Sequence, residues 1–155
     1  MILDLLRQAK ASGDFRPLMD AIPYAKWLGI TAVEQDGALV GKLTFREDLI
    51  GNPVIPALHG GTLGALLEST AVFELFRASE TVTLPKTITL TIDYLRSAKA
   101  VDTFSIARIT RHGRRVVTVH AEAWQEDRNK PVATANIHFM VYAETEMGSA
   151  PASSV

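Results

Sequence analysis

The chain has 155 residues, 47% apolar and 21% charged, with 16 basic against 17 acidic side chains and no cysteine. That is the balance of an ordinary globular domain, long enough to bury a substantial core. Near-neutral charge argues against nucleic acid or an anionic membrane as partner. The lack of cysteine excludes disulfides, thiolate nucleophiles and cysteine-based metal sites.

At the N-terminus, Asp4, Arg7 and Lys10 interrupt the chain too early for the apolar core of a signal peptide. Ile2, Leu5, Leu6 and Ala9 instead recur at helical spacing, which predicts an amphipathic helix over 2–12. A short helical or irregular stretch follows over 15–26. Strands are predicted near 28–35 and 38–46, joined at Asp36-Gly37, a strong hairpin signal. A loop with Gly51, Pro53 and Pro56 leads into a long helix at about 59–79. The remainder reads as strand, near 85–96, 102–111, 114–126 and 131–143. The tail over 144–155 is small and polar and is read as disordered, leaving one domain over 1–143. No apolar run approaches membrane-spanning length, and a cytoplasmic location is expected.

The later strands alternate. Ile88, Leu90, Ile92 and Tyr94 are predicted to oppose Thr87, Thr89, Thr91 and Asp93, and Val117, Val119, Ala121 and Ala123 to oppose Thr118, His120 and Glu122. An apolar sheet face needs an apolar partner, and only the 59–79 helix is large enough. The expected fold class is therefore α+β, an antiparallel sheet wrapped around one long central helix.

That helix is apolar on nearly every side, through Leu63, Ala65, Leu66, Leu67, Ala71, Val72, Phe73, Leu75 and Phe76, as a buried helix is. Glu68 in its middle is therefore expected to be a buried carboxylate, costly unless it is paired or used. Without further information it could equally reach the helix edge and meet solvent or an arginine. The helix opens with His59-Gly60-Gly61, which places bare backbone N–H groups at its positive end, ready to receive an anion. Gly60 and Glu68 lie eight residues apart, about 12 Å at the helical rise. A reacting carbonyl must sit about 3 Å from both its oxyanion donor and its attacking group. One helix cannot supply both. Two antiparallel helices from two chains can, so the chemistry calls for at least a dimer with shared sites.

These residues resemble the hotdog-fold acyl-CoA thioesterases of the phenylacetic-acid-degradation type, from about residue 27 to 141. The most specific part is His59-Gly60-Gly61 followed by an apolar helix bearing an acid at Glu68. The strand TITLTIDYLRSAKA, over 87–100, is also similar to that family's. The resemblance implies an enzyme that hydrolyses an acyl- or aryl-CoA to free acid and CoA, without metal or organic cofactor. It makes Glu68 the catalytic carboxylate and Gly60 N–H the oxyanion donor. His59 helps to hold the site, Thr87 orients the water, and Asn52 matches the polar residue ahead of the glycines. Gly61 joins the substrate-binding side. A homodimer, assembled further as a homotetramer, is implied as well.

Arg111, Arg114 and Arg115 sit at a predicted hairpin tip with Arg108 nearby, and Arg96 and Lys99 lie in the preceding turn. Such a run is commonly a solvated turn. The functional reading is a clamp for the phosphates of coenzyme A, since arginine binds phosphate in forked geometry. No metal site is expected, because His112, His120 and His138 lack ligand spacing. Two rivals share the fold. A hydroxyacyl-thioester dehydratase would place its histidine further upstream of the acid than His59, and position 54 is Val54. A non-catalytic acyl-CoA-binding dimer would bind without turnover.

Overall fold

The computed structural model describes residues 2–79 and 85–142. Three short helices come first: α1 (Ile2–Ser12), α2 (Arg16–Asp20) and α3 (Pro23–Leu28). Pro17 and Pro23 stand in the first turns of α2 and α3, where a missing N–H costs nothing. The stretch predicted as helical or irregular is thus two helices. Strands β1 (Ile30–Gln35) and β2 (Ala38–Leu43) pair antiparallel through Asp36 and Gly37. Both turn residues have positive φ, 53° and 76°, as a type I′ hairpin turn requires.

A 3₁₀ turn (Glu47–Leu49) and a miniature hairpin, β3 (Ile50–Asn52) with β4 (Ala57–Leu58), occupy the segment predicted as loop. The long helix α4 (Gly60–Ala78) follows, then β5 (Pro85–Tyr94), β6 (Thr103–His112), β7 (Val116–Trp124) and β8 (Ala133–Val141). The six long strands form one sheet in the order β1-β2-β6-β7-β8-β5, with every pairing antiparallel. The sheet wraps α4, and β1 and β5 are its edges. This is the hotdog fold that the sequence led one to expect.

The inner face of the sheet explains how the helix fits. Val117, Val119, Ala121 and Ala123 of β7 and Ala133, Ala135, Ile137 and Phe139 of β8 are fully buried, as are Leu66, Leu67, Ala71 and Phe73 of α4. Four alanines, Ala121 and Ala123 paired with Ala135 and Ala133, allow the helix to lie close at one end of that face, while Val117, Val119, Ile137 and Phe139 fill the other end. Buried polar groups are satisfied: the Thr70 hydroxyl donates to Leu66 O and shares a further bond with Ser105 Oγ. At the far end of α4, the Lys10 ammonium of α1 meets Ser79 O, placing a cation at the negative end of the helix. No helix among the described residues is long and apolar enough to cross a membrane. The tail read as disordered, 144–155, lies outside the described residues.

One predicted face is wrong. Clean alternation put Ile88 inside and Thr87 outside, but the β5–β8 register shifts between Thr87 and Thr89. Thr87 pairs with the buried Phe139, and Leu90 with the buried Ile137. Thr87 therefore shares the inner face with Leu90 and Ile92, and Ile88 is 50% exposed. A bulge inserts one extra residue, which reverses the facing of everything before it.

Candidate active site

The start of α4 is built by His59. Its C=O accepts from both the N–H (2.9 Å) and the hydroxyl (2.7 Å) of Thr62. Its own N–H donates to Leu49 O at 2.8 Å, and its Nδ1 accepts from Gly61 N–H at 2.9 Å. An accepting Nδ1 puts the ring proton on Nε2. His59 is thus the N-cap, satisfying one of the donors that a helix leaves open at its first turn. Gly60 N–H makes no hydrogen bond among the described residues. A Cβ on Gly60 would sit 3.1 Å from two ring carbons and the hydroxyl oxygen of Tyr94, so any larger residue here requires that side chain to shift. The Tyr94 hydroxyl donates to Gly60 O at 2.9 Å.

Glu68 lies where α4 meets the edge strand β5. It is half-buried, on a stripe of α4 with Gly61, Ser69 and Val72 that the sheet does not cover. Its Oε1 accepts from the Thr87 hydroxyl at 2.7 Å. The bulge in β5 makes this bond possible, since regular alternation would aim Thr87 to the outer face. Bulges commonly re-aim side chains next to functional sites. Among the described residues, no cation is hydrogen-bonded or ion-paired to Glu68.

The expectation that Glu68 is the buried carboxylate of this helix needs correction. That residue is Glu74, 9% exposed. It is held by Arg77 in a forked pair, Nε to Oε2 at 2.8 Å and Nη2 to Oε1 at 2.9 Å. The hydrogen bond to Glu74 holds the Arg77 guanidinium above its ordinary pKa. The Glu-x-x-Arg spacing, one helical turn, was the signal available in the sequence.

The remaining expected residues fall at two ends of the sheet. Asn52 is exposed, and its Oδ1 accepts from Val54 N (3.0 Å) and Ile55 N (3.3 Å), closing the β3–β4 hairpin. Gly61 is exposed beside His59. Arg96 lies at the end where α4 begins, with Nη1 donating to Pro131 O at 2.6 Å, and Lys99 there pairs with Glu126. Arg111, Arg114 and Arg115 are exposed at the β6–β7 turn, at the opposite end. One chain therefore does not bring Arg96 and the arginine turn together. The turn does lie at the Thr87 end. Thr87 pairs with Phe139, Phe139 with Val117, and Val117 with His112, three strand spacings or about 14 Å across the sheet. The described residues contain no cluster of three His, Cys, Asp or Glu able to hold a metal ion.

Residues 56–132, which run from β4 to the residue before β8, match the thioesterase superfamily. A solved protein from Chromobacterium violaceum is 35% identical, with 88% of this chain and 96% of that chain covered and a TM-score of 0.72. A phenylacetic acid degradation-related protein from Ralstonia eutropha JMP134 is 31% identical, with 77% and 90% covered and a TM-score of 0.67. The fold is shared by a Bacillus halodurans protein solved with CoA, 19% identical, with 92% of each chain covered and a TM-score of 0.72. No curated protein matches the chain. The chain belongs to the thioesterase superfamily, and its helix start and helix-borne carboxylate lie within the matched region.

Proposed function

We propose that the protein is an acyl-CoA thioesterase of the phenylacetic-acid-degradation type, hydrolysing an acyl- or aryl-CoA to a carboxylic acid and CoA without metal or organic cofactor. The carrying observation is the layout of β5. Near one end Thr87 bonds Glu68, and at the other end Tyr94 bonds Gly60. Likeness at 31% identity to the Ralstonia protein supports the branch. The Bacillus protein of the same fold was solved with CoA, which is consistent with this carrier.

A thioester reaches both ends only if two copies meet along this strand. β5 is a ten-residue sheet edge, rich in threonine and isoleucine, with exposed Ile88, Tyr94 and Leu95. A long unpaired edge of this kind is a template for another strand. Consider a two-fold axis through Thr91. Thr89 then faces Asp93 of the second copy, and the bulge at 87–89 lies opposite Tyr94. Each such pairing matches outer face to outer face or inner face to inner face, as sheet geometry requires. Glu68 and Thr87 of one copy then flank Gly60 of the other. The uncovered stripe of α4 along Gly61, Glu68, Ser69 and Val72 packs against its equivalent. The same axis brings Arg96 of one copy to the end that carries Arg111, Arg114 and Arg115 of the other, so one CoA can meet both groups.

In this site Gly60 N–H receives the thioester oxygen as negative charge builds on it, aided by the helix dipole. Glu68, with Oε1 held by Thr87, delivers the nucleophile to the carbonyl carbon. It acts either as general base on a water or by direct attack through a mixed anhydride. The C–S bond breaks and CoA leaves as a thiolate, which takes up the proton drawn from the water; in the anhydride route a water then hydrolyses the anhydride, releasing the acid and restoring Glu68. The reading is tested with a panel of acyl- and aryl-CoAs and a chromogenic thiol reporter. Turnover is expected with at least one, and failure with all, by a protein that binds them, leaves a non-catalytic acyl-CoA-binding dimer. Formation of unsaturated acyl-CoA from hydroxyacyl-CoA, with no thiol released, selects the dehydratase. The strand register is tested with Thr91→Cys. The native chain has no cysteine, so oxidation should yield a covalent dimer, whereas Lys86→Cys, away from the axis, should not.

A further inference from the structure

The geometry points to Tyr94 as a positioning residue for the oxyanion donor. Its hydroxyl and His59 Nδ1 together grip the Gly60–Gly61 peptide from both ends. The inference rests on the thioesterase reading and extends it to a residue with no role so far.

A diglycine is the least constrained pair of residues a chain can place at a helix start. The peptide joining Gly60 to Gly61 has one acceptor and one donor, and side chains hold both. Gly60 O accepts from Tyr94 Oη at 2.9 Å, and Gly61 N–H donates to His59 Nδ1 at 2.9 Å. The two grips come from different elements, the end of the edge strand β5 and the N-cap of α4. Rotation of that peptide plane would break both. That plane anchors one side of Gly60, and the preceding peptide, which carries Gly60 N–H, swings only through the φ and ψ of Gly60 relative to it. The preceding peptide is held only at its carbonyl end, where His59 O accepts from Thr62. Tyr94 also lies over the Gly60 Cα, with two ring carbons and its hydroxyl oxygen each 3.1 Å from the place of a Cβ. It is nonetheless 54% exposed, so burial of its ring does not account for its placement.

An oxyanion donor is effective because it is already aimed when charge develops, and a loose donor must be ordered during the reaction. Loss of the hydroxyl should therefore act on the transition state more than on substrate binding. The charge-assisted attack by Glu68 is untouched by it.

Tyr94→Phe removes the hydroxyl and keeps the ring. Two readouts separate this inference from the reading on which it rests. Amide exchange followed by NMR needs no substrate: exchange at Gly61, whose N–H is bonded to His59 Nδ1, should quicken several-fold in the variant, with α4 beyond Thr62 unchanged. With the best acyl-CoA of the panel, kcat should fall roughly 5- to 20-fold and KM stay within about twofold, the pattern of an interaction used in the transition state. A third readout is the carbonyl stretch of a bound aryl-CoA in a Glu68→Gln background that cannot turn it over. Its red shift should shrink when Tyr94→Phe is added. Quicker exchange confined to Gly61 supports the grip even if no acyl-CoA is turned over, an outcome that would sink the thioesterase reading alone. Unchanged exchange, or unchanged kcat in an active enzyme, overturns the role of Tyr94 and leaves that reading standing.

Discussion

Glu68 and Glu74 stand six residues apart on the same helix and could hardly be treated more differently by the fold. Glu74 is buried, and both its oxygens are matched by the fork of Arg77. Glu68 is half-exposed on the stripe the sheet leaves open and receives one hydrogen bond, from a neutral hydroxyl. A buried carboxylate must be neutralised by something, and a fold that neutralises it within one chain has removed it from chemistry. The carboxylate fit for work is the one with no paired cation and with a face left open. Burial alone would select Glu74, whereas the proposed function assigns the chemistry to Glu68.

The largest expected effect breaks this comparison most directly. Glu68→Gln should lower kcat by ~10²-fold or more with the fold intact, because the base or nucleophile is gone while its shape and the Thr87 contact survive. Glu74→Gln should do the reverse. Activity should stay within about twofold at a temperature where the variant is folded, while stability falls by about 1–3 kcal/mol as Arg77 loses its partner. That corresponds to a drop of roughly 3–10 °C in Tm for a chain of this size. Measured kcat and Tm for the pair decide the matter, and a Glu74→Gln enzyme as inactive as Glu68→Gln would reverse the assignment.

The next effect sharpens the role of the bulge. Thr87→Val keeps the branched shape on the inner face and removes the donor to Glu68 Oε1. The carboxylate is then free to rotate, and kcat should fall about tenfold, equivalent to about 1.4 kcal/mol of transition-state stabilisation. Ile88→Val, on the exposed bulge residue next door, should leave kcat within about twofold. Equal losses at 87 and 88 would mean that strand integrity matters rather than the hydroxyl.

The bulge also marks where the sequence stops being informative. Residues 87–92 read Thr-Ile-Thr-Leu-Thr-Ile, an unbroken alternation, and no residue there announces an extra step. The bulge shows only in the pairing with β8, which sets Thr87 against the buried Phe139 and Leu90 against the buried Ile137, information absent from local pattern. The β3–β4 hairpin escaped for another reason: strands of three and two residues have no periodicity to read. By contrast, the Asp36-Gly37 turn, the inward rows of β7 and the extent of α4 were all legible, because each follows from backbone chemistry or from burial on one face. The helix start was legible as a motif, yet the grip of Tyr94 on Gly60 was not. That contact joins residues 34 apart in the chain, and only the folded sheet edge brings them together.

The smallest expected effect concerns the two arginine groups, which one chain holds at opposite ends of its sheet and the two-fold axis would bring to one site. Arg114→Ala and Arg115→Ala should each raise KM for acyl-CoA about three- to tenfold with kcat little changed, since phosphate contacts are made equally before and during the reaction. Arg96→Ala should do the same to a lesser degree, because its guanidinium already donates to Pro131 O. The penalties should shrink with added salt, as expected for exposed charges. They should vanish on an acyl-pantetheine, which lacks the nucleotide phosphates. An enzyme equally impaired on the truncated substrate would place the arginines in the structure of the turn. If Arg114→Ala lost its effect on acyl-CoA while Arg96→Ala kept it, the phosphates would lie beside α4's own start, and the two groups would not share a ligand.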